Sequence, residues 1–501
     1  MRKMLSVILL IVICLSAAHC ATAENIRVTV VPPSCTEPGY TLYENIENGI
    51  TTVHDEVPAT GHQFGEWQED PRSGGSQRIC KVCGYAETRS SKPVSSFPIV
   101  YLNGNTAGIS KSERVTLEFA FQSEETSFSC YAYTTWQGHQ TLNYPKKNYT
   151  IRLYDDEEIS HKHKLSFNGW QYEHKYVLKA NYRDISAVRN LIAADIWADM
   201  ASTRPHLYQR LLNTSHYGAV DGFPVAVYLN DEFHGLYNMN LHIDDDLYRM
   251  TDPYDAVMIA NSSEPEETRF FSPALFIDEK DAWEVEYCGT GNDNQWAKDK
   301  LNELIGFVIN SSDEEFRRDL GAYLDVDGAI DYLIFIYITG LDNNAAKDLV
   351  LLKYQGSDVW IPTVYDMERA FGLARDGEAY VAANEFLPTE KNGVWDSNTN
   401  SLLWDRLLQN YTDEIRMRYR RLRTGILTTD ALTERVREAI SEIPPQYYNM
   451  DMETYPRCLL DELPEEQMTD YIQSRIPLLD LALLGNRVIE DSMGVAGDGS
   501  F

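Results

Sequence analysis

Residues 337–372 read YITGLDNNAAKDLVLLKYQGSDVWIPTVYDMERAFG. We expect this stretch to lie at the centre of the fold. It contains two apolar runs, 349–354 and 359–365, which are rich in β-branched and aromatic residues. Gly356 lies in the short polar segment between them. Two such runs separated by a glycine-containing turn predict a β-hairpin.

Charged residues stand at both outer ends of this predicted hairpin. Asp342, Lys347 and Asp348 precede its first strand, and Asp366 and Glu368 follow its second. Because the open end of a hairpin brings its two termini together, these carboxylates are expected to converge. Converging oxygens are what a hard cation such as Mg²⁺ requires. A hairpin with solvated acidic ends is the alternative interpretation.

The composition limits the size and the partners of the protein. A chain of 501 residues is long enough for about two to three domains. Its apolar fraction of 43% supports a sizeable core. A formal net charge of −32 argues against nucleic acid as a partner, because the phosphate backbone needs a basic surface.

The first 23 residues have the features of a secretory signal peptide. Basic residues at 2–3 precede an apolar run over 4–18, and small residues follow at 21–23. This pattern predicts cleavage after residue 23 and a secreted, extracytoplasmic protein. No later stretch predicts a transmembrane helix. Residues 486–501 are expected to be a polar tail.

Residues 24–92 are expected to form a separate, small β-rich module. They contain PATGHQFGEW at 58–67 and CKVCGY at 80–85. These motifs resemble the Cys-x-x-Cys repeats in surface proteins of gut-dwelling Gram-positive bacteria. The resemblance implies an adhesive or spacer module.

The cysteines of this module leave two structural interpretations open. Cys80 and Cys83 form one Cys-x-x-Cys pair, and Cys35 is solitary. A metal knuckle needs four ligands, which are not assured even when His54 and His62 are counted. A local disulfide is the alternative.

From residue 97 onward, strands followed by helices predict an α+β fold. Strands are predicted at 97–102, 114–120, 128–134, 176–178, 225–229 and 235–239. Helices are predicted from 188, and at 296–309, 327–338, 402–408, 413–424, 428–442 and 464–484. The polar residues 251–298 are interpreted as an irregular surface insertion.

Two segments place cations beside predicted strands. YPKKNYTIRL at 144–153 puts Lys147 before a strand, and Lys179 ends the strand that begins KYVLK at 175. Arg189 and Asn190 follow in the first turns of a helix, where backbone donors also favour an anion. Pairing of Arg189 with Asp184 alone is the alternative, as is a solvated strand end for Lys147.

Four segments, in the order in which they occur along the chain, together resemble the CotH family. This family is named for a bacterial spore-coat protein and is similar to atypical protein kinases. The four segments are YPKKNYTIRL, YVLKANYRDISAVRN, VAVYLNDEFHGLY and the hairpin with its YDMERAFG ending. The resemblance covers about 97–485. It implies an atypical protein-kinase-like core that uses ATP and Mg²⁺ or Mn²⁺ to phosphorylate Ser/Thr hydroxyls. Its partner would be a protein of the cell surface or spore coat.

The resemblance also implies roles for individual residues. It makes metal ligands of Asp366, Asp348 and Glu368. It assigns the catalytic carboxylate to the cluster that contains Asp342, Asn343 and Lys347. It implies that Lys147 and Lys179 are the cations that bind the phosphates of ATP. Arg189 and Asn190 would support this binding.

The acidic cluster departs from the family pattern Asp-Asn-x-x-Lys-Asn. Anchored on Lys347, Asn343 takes the place of the catalytic Asp, and Asp342 lies one residue early. Asp348 replaces the asparagine after the lysine, and Glu368 replaces the second Asp of Asp-x-Asp. An asparagine cannot accept a proton as a carboxylate does, which costs on the order of 10²-fold in rate. The second hypothesis is therefore a catalytically inactive CotH-fold adhesion protein that binds a cell-wall or glycan component.

Overall fold

The computed structural model describes residues 26–36, 38–45, 51–69, 76–84, 86–89, 95–138, 140–261, 266–276, 282–289, 294–457 and 462–485. The predicted signal peptide and polar tail lie outside these residues. The chain divides into two compact units, one made of Met1–Gly65 with Cys80–Tyr85 and the other of Glu66–Ile79 with Ala86–Phe501. Among the described helices, none is long and apolar enough to cross a membrane.

The first unit contains a three-stranded antiparallel sheet. Its strands are β1 (Ile26–Val31), β2 (Gly39–Asn45) and β3 (Thr51–Val57), in that order across the sheet. A further β-bridge joins Phe64 to Cys80. This pairing brings the Cys-x-x-Cys segment back to the chain that follows β3.

The second unit begins with a small antiparallel sheet and continues into a closed barrel. The small sheet contains β4 (Gln68–Glu69), β5 (Ser76–Ile79) and β6 (Ala86–Arg89). The barrel strands are β7 (Ile99–Asn103), β8 (Val115–Gln122), β9 (Ser127–Gln137), β10 (Asn148–Tyr154), β11 (Lys175–Lys179), β12 (Gly222–Leu229) and β13 (Glu232–Leu241). Their order around the barrel is β10-β11-β13-β12-β7-β8-β9. Tyr149, Ile151 and Leu153 share one buried face of β10, because alternate side chains of a strand point the same way.

The predicted hairpin is confirmed and belongs to a second, four-stranded sheet of order β15-β14-β16-β17. Its strands are β14 (Ala256–Ala260), β15 (Trp283–Cys288), β16 (Val350–Lys353) and β17 (Ile361–Thr363). One apolar core contains side chains from both the barrel and the hairpin, such as Leu178, Met239, Val350 and Ile361. The hairpin is thereby fixed against the barrel.

The interpretation of 251–298 as a surface insertion is wrong. All five residues of β14 are buried, and this strand pairs with β16, with Met258 opposite Leu351. The polar residues on either side of this short apolar run concealed it, although the run supplies the neighbour of the central hairpin.

The described part of the second unit also contains α-helices. They are α1 (Arg189–Ser202), α2 (Gln209–Leu212), α3 (Gln295–Asn310), α4 (Asp313–Asp319), α5 (Val326–Thr339), α6 (Leu402–Asn410), α7 (Thr412–Arg423), α8 (Thr429–Ser441), α9 (Pro445–Thr454) and α10 (Pro464–Leu484). A hairpin of β18 (Thr389–Lys391) and β19 (Val394–Asp396) precedes α6. These elements confirm the predicted α+β class. The analysis of the sequence missed α2, α4 and α9.

Helix α5 positions the acidic segment that precedes the hairpin. Every residue of α5 from Gly328 to Thr339 is buried. The helix ends at Gly340, whose φ of 69° is left-handed, and a Cβ there would lie 2.0 Å from the Tyr471 hydroxyl. Only glycine fits this close approach without strain. The loop that carries Asp342 therefore starts from a fixed point.

A half-buried histidine between two carboxylates predicts how stability depends on pH. His216 lies 2.9 Å from Asp195 and 2.8 Å from Asp221. Burial opposes its protonation, but these two carboxylates outweigh burial and raise the pKa of His216 to about 9. A histidine pKa above its unfolded value stabilises the fold fully below about pH 6.5. That contribution is lost as the pH rises through 9.

We therefore expect the free energy of unfolding to fall by on the order of 2 kcal/mol between pH 6.5 and 9.5. Asn at position 216 tolerates the left-handed φ of 47°. His216→Asn should flatten this profile in urea denaturation across that pH range. An unchanged slope in the variant would assign the pH dependence to other groups.

Candidate functional site

The two ends of the hairpin meet at one cleft, as the sequence predicts. Asp348 lies two residues before the start of β16, and Asp366 lies three residues after the end of β17. Both line a cleft of ≈ 100 Å³ with Asn343, Lys347 and Glu368. Asp348 and Asp366 have left-handed φ values of 60° and 50°. Strained backbone of this kind concentrates at functional sites, because it fixes the direction of a side chain.

Lys179, from the barrel, forms an ion pair with Asp366. Lys179 is the last residue of β11, and its Nζ lies 2.5 Å from Oδ1 of Asp366. Burial opposes the charge of Lys179, but Asp366 and Glu368 outweigh burial and raise the pKa of Lys179. Burial likewise opposes ionisation of Asp366, yet Lys179 lowers the pKa of Asp366 to about 2. Both groups are therefore charged near neutral pH.

Asp348 has a different electrostatic environment from Asp366. Asp348 lies 2.5 Å from Nζ of Lys347, and the Asn343 amide donates to it at 3.4 Å. Burial and the charge of Asp366 together raise the pKa of Asp348 to about 7, against the effect of Lys347. Asp348 is buried and Asp366 is half-buried, and the repulsion between these two carboxylates favours a further cation at the cleft.

Glu368 is held by an arginine that the sequence analysis did not single out. Arg183 binds the Glu368 carboxylate through Nη2 and donates from Nη1 to the carbonyl of Arg375 at 2.5 Å. Burial raises the pKa of Glu368. Arg183 lines the same cleft. Its position four residues after Lys179 was the available signal.

Asp342 and Asn343 face different spaces. Asp342 is about half exposed (55%) and lies 3.2 Å from Nη2 of Arg369. It lines a larger cleft of ≈ 510 Å³, whereas Asn343 and Arg369 line both this cleft and the smaller one. Asn343 is therefore the residue beside Asp348, and Asp342 lies on the adjoining side.

Two of the predicted phosphate-binding cations do not line these clefts. Lys147 donates from Nζ to the carbonyl of Leu142 at 2.7 Å and also to that of Tyr144. Arg189 is fully buried, and its guanidinium donates to the carbonyls of Ala370 and Phe371 at 2.6 and 3.2 Å.

Further partners of Arg189 are Asp184, 3.3 Å from Nε, and Gln467, whose Oε1 accepts from Nη2 at 2.7 Å. The geometry corresponds to the alternative in which Arg189 pairs with Asp184. This arginine fixes the backbone that follows Asp366.

A third, narrow space of ≈ 30 Å³ adjoins the ion pair. Lys179, Asp366, Asn190 and Asn240 line it. Asn190 accepts from the backbone N–H of Met367 at 2.7 Å, so it also positions the segment after the hairpin. Nδ2 of Asn190 and Oδ1 of Asn240 are buried without a hydrogen-bond partner within the described structure. Unsatisfied buried polar atoms of this kind suit a polar ligand.

The fold and this site define a mixed α+β protein with a half-buried lysine–aspartate pair beside a cleft lined by both carboxylates and cations. Residues 135–478 match the family model described as CotH kinase protein. The chain therefore belongs to the CotH family, as its sequence motifs indicated. A search of curated proteins gave no match.

Proposed function

We propose that this protein transfers the γ-phosphoryl group of ATP to Ser/Thr hydroxyls of other proteins. The observation that supports it best is the Lys179–Asp366 ion pair, with Nζ and Oδ1 2.5 Å apart, beside the buried carboxylate of Asp348. Phosphoryl transfer requires positioned cations and carboxylates more than covalent chemistry from the protein. Membership of a family described as kinase proteins is consistent with this chemistry.

The donor set suits Mg²⁺ or Mn²⁺. Magnesium in such sites takes one or two carboxylates together with phosphate oxygens. Asp366 and Asp348 supply two carboxylates whose mutual repulsion a divalent cation would relieve. Glu368 is engaged by Arg183 and would act on the metal site through that pair. A bound divalent ion would neutralise charge on the phosphate oxygens.

The groups around the metal site supply contacts for the nucleotide. Lys347 and Arg183 line the metal-site cleft, Lys179 lines the narrow space that adjoins it, and these three cations would hold phosphate oxygens. The unpaired amide atoms of Asn190 and Asn240 would orient the polar edge of a base or ribose. This assignment replaces Lys147 and Arg189 with Lys347 and Arg183 as phosphate ligands.

The larger cleft is the proposed place of the acceptor side chain. Asp342 lines it beside Asn343 and Arg369, which border the metal-site cleft as well. A hydroxyl lying there would have the Asp342 carboxylate as its proton acceptor. In this arrangement the early position of Asp342 in the sequence places the carboxylate on the acceptor side.

The acceptor would be an extracytoplasmic protein, at the cell surface or in a spore coat. The signal-like sequence at 1–23 and the module resembling surface repeats support this location. The competing function is a non-catalytic adhesion protein on the same fold. The substitution of Asn343 for the family's catalytic Asp favours that alternative.

Label transfer separates the two functions. The chain that begins at residue 24 is incubated with γ-labelled ATP and a generic acceptor, with Mg²⁺, with Mn²⁺ or with EDTA. We expect label on the acceptor or on the protein itself only when a divalent ion is present. Absence of transfer and of nucleotide binding at millimolar ATP would support the adhesion protein.

Replacement of the proposed proton acceptor gives a sharper result. Asp342→Asn should lower kcat on the order of 10²-fold with little change in the KM for ATP, because Asp342 lies outside the metal-site cleft. Asp358→Asn is the matched control, since Asp358 is an exposed carboxylate in the turn of the same hairpin. Equal rates for Asp342→Asn and the wild type would remove Asp342 from the mechanism.

A further inference from the structure

Four side chains from three separate stretches of the sequence converge in the N-terminal unit. They belong to Cys35, His62, Cys80 and Cys83, and their donor atoms all lie within 4.8 Å of one another. The sulfurs of Cys35 and Cys80 are 3.8 Å apart, and Sγ of Cys83 lies 3.3 Å from Nδ1 of His62. Three separate chain segments contribute: the β1–β2 loop, the segment after β3, and the Cys-x-x-Cys turn.

These two distances lie close to the edges of a tetrahedral zinc site. Zinc lies about 2.3 Å from thiolate sulfur and about 2.0 Å from imidazole nitrogen, so a sulfur–sulfur edge is about 3.8 Å and a sulfur–nitrogen edge about 3.5 Å. A disulfide holds its sulfurs about 2.05 Å apart. Cys35, Cys80 and Cys83 are all free thiols in the structure.

A backbone donor is directed at the sulfur of Cys80. The backbone N–H of Gln63 donates to this sulfur at 3.3 Å. The thiolate is the form that binds metal, and backbone donors to its sulfur orient it.

The first unit lacks any other apolar centre among its described residues. Cys35 and Cys80 are its only buried apolar side chains in that part of the chain. Val28, Val30 and Val57 are 50 to 70% exposed. Because the described residues of this small unit bury so little apolar surface, a covalent or metal cross-link is expected to stabilise it.

We propose that Cys35, His62, Cys80 and Cys83 bind a structural Zn²⁺ ion that holds the N-terminal unit together. Four protein ligands close the coordination shell, which is typical of a structural site and leaves no position for a substrate. His54 is not a ligand, because it lies on β3 and its ring packs on Tyr43 at a centroid distance of 5.2 Å. This assignment does not depend on the proposed phosphotransferase activity.

Metal analysis of the whole chain from residue 24 tests the site. After purification without added metal, we expect about one zinc per chain by elemental mass spectrometry, and release of this zinc when the thiols are modified. Cys80→Ser and His62→Ala should each reduce the bound zinc at least about fivefold. His54→Ala is the matched control from the same unit and should retain it.

A variant could also lose its metal because it misfolds. A cobalt spectrum therefore provides a second test of the ligands. The wild-type chain with Co²⁺ in place of zinc should show sulfur-to-metal charge transfer and the intense visible bands of a tetrahedral site. His62→Cys keeps four ligands and should retain the metal with a shifted spectrum. Zinc content unchanged by Cys80→Ser, or a disulfide between any two of these cysteines in the freshly isolated wild type, would overturn the proposal.

Discussion

Asp366→Asn should lower the rate of phosphoryl transfer by on the order of 10³-fold or more. The substitution keeps the volume of the side chain and removes both the charge partner of Lys179 and a carboxylate of the proposed metal site. Because the Lys179 amine is then buried beside a neutral amide, its charge is no longer compensated at 2.5 Å. We also expect weaker Mn²⁺ binding, measured by titration calorimetry in the presence of an ATP analogue.

The control for this variant is again Asp358→Asn, at the opposite end of the hairpin. It should transfer label at the wild-type rate. Circular dichroism should show that Asp366→Asn remains folded. A folded Asp366→Asn protein with wild-type activity would contradict the assignment of the site.

Arg189→Met should destabilise the protein by about 3 to 5 kcal/mol. Methionine preserves the length of the side chain but leaves the Asp184 carboxylate, which is 2% exposed, without its buried cation. It also removes the donors to the carbonyls of Ala370 and Phe371. Removal of one partner from a buried ion pair costs far more than loss of a surface pair, because the remaining charge stays desolvated.

Urea denaturation followed by tryptophan fluorescence measures this loss. Arg435→Met is the matched control, since Arg435 pairs with Asp199 at the surface and its loss should cost less than about 1 kcal/mol. If Arg189→Met were as stable as the wild type and lost nucleotide affinity instead, Arg189 would be a phosphate ligand, as the family resemblance first implied.

The sequence predicted the elements whose patterns are local. The hairpin was found because its apolar runs flank a turn at Gly356. Its charged ends were expected to converge, and Asp348, Asp366 and Glu368 do line one cleft, whereas Asp342 lines the adjoining one. The long helices were predicted because their pattern of apolar residues is also local. Strand β14 was missed because five buried residues between polar loops show no periodicity, and their partner β16 lies about 90 residues later.

The contacts of individual side chains could not be predicted from the sequence. Lys147, Arg183 and Arg189 are all cations near strand or helix ends, and nothing local distinguishes the one that lines the cleft from the two that bind backbone carbonyls. The choice depends on which segment packs against each of them. The cluster of Cys35, His62, Cys80 and Cys83 was similarly hidden, because three separate segments must fold before its ligands meet.

The most direct test of the account is a crystal structure of the chain with Mn²⁺ and a non-hydrolysable ATP analogue. Anomalous scattering locates the manganese independently of the protein. The account predicts a manganese peak between the carboxylates of Asp366 and Asp348, with phosphates near Lys179 and Lys347. Nucleotide bound away from Lys179, or manganese absent from these two carboxylates in a nucleotide-bound crystal, would contradict it.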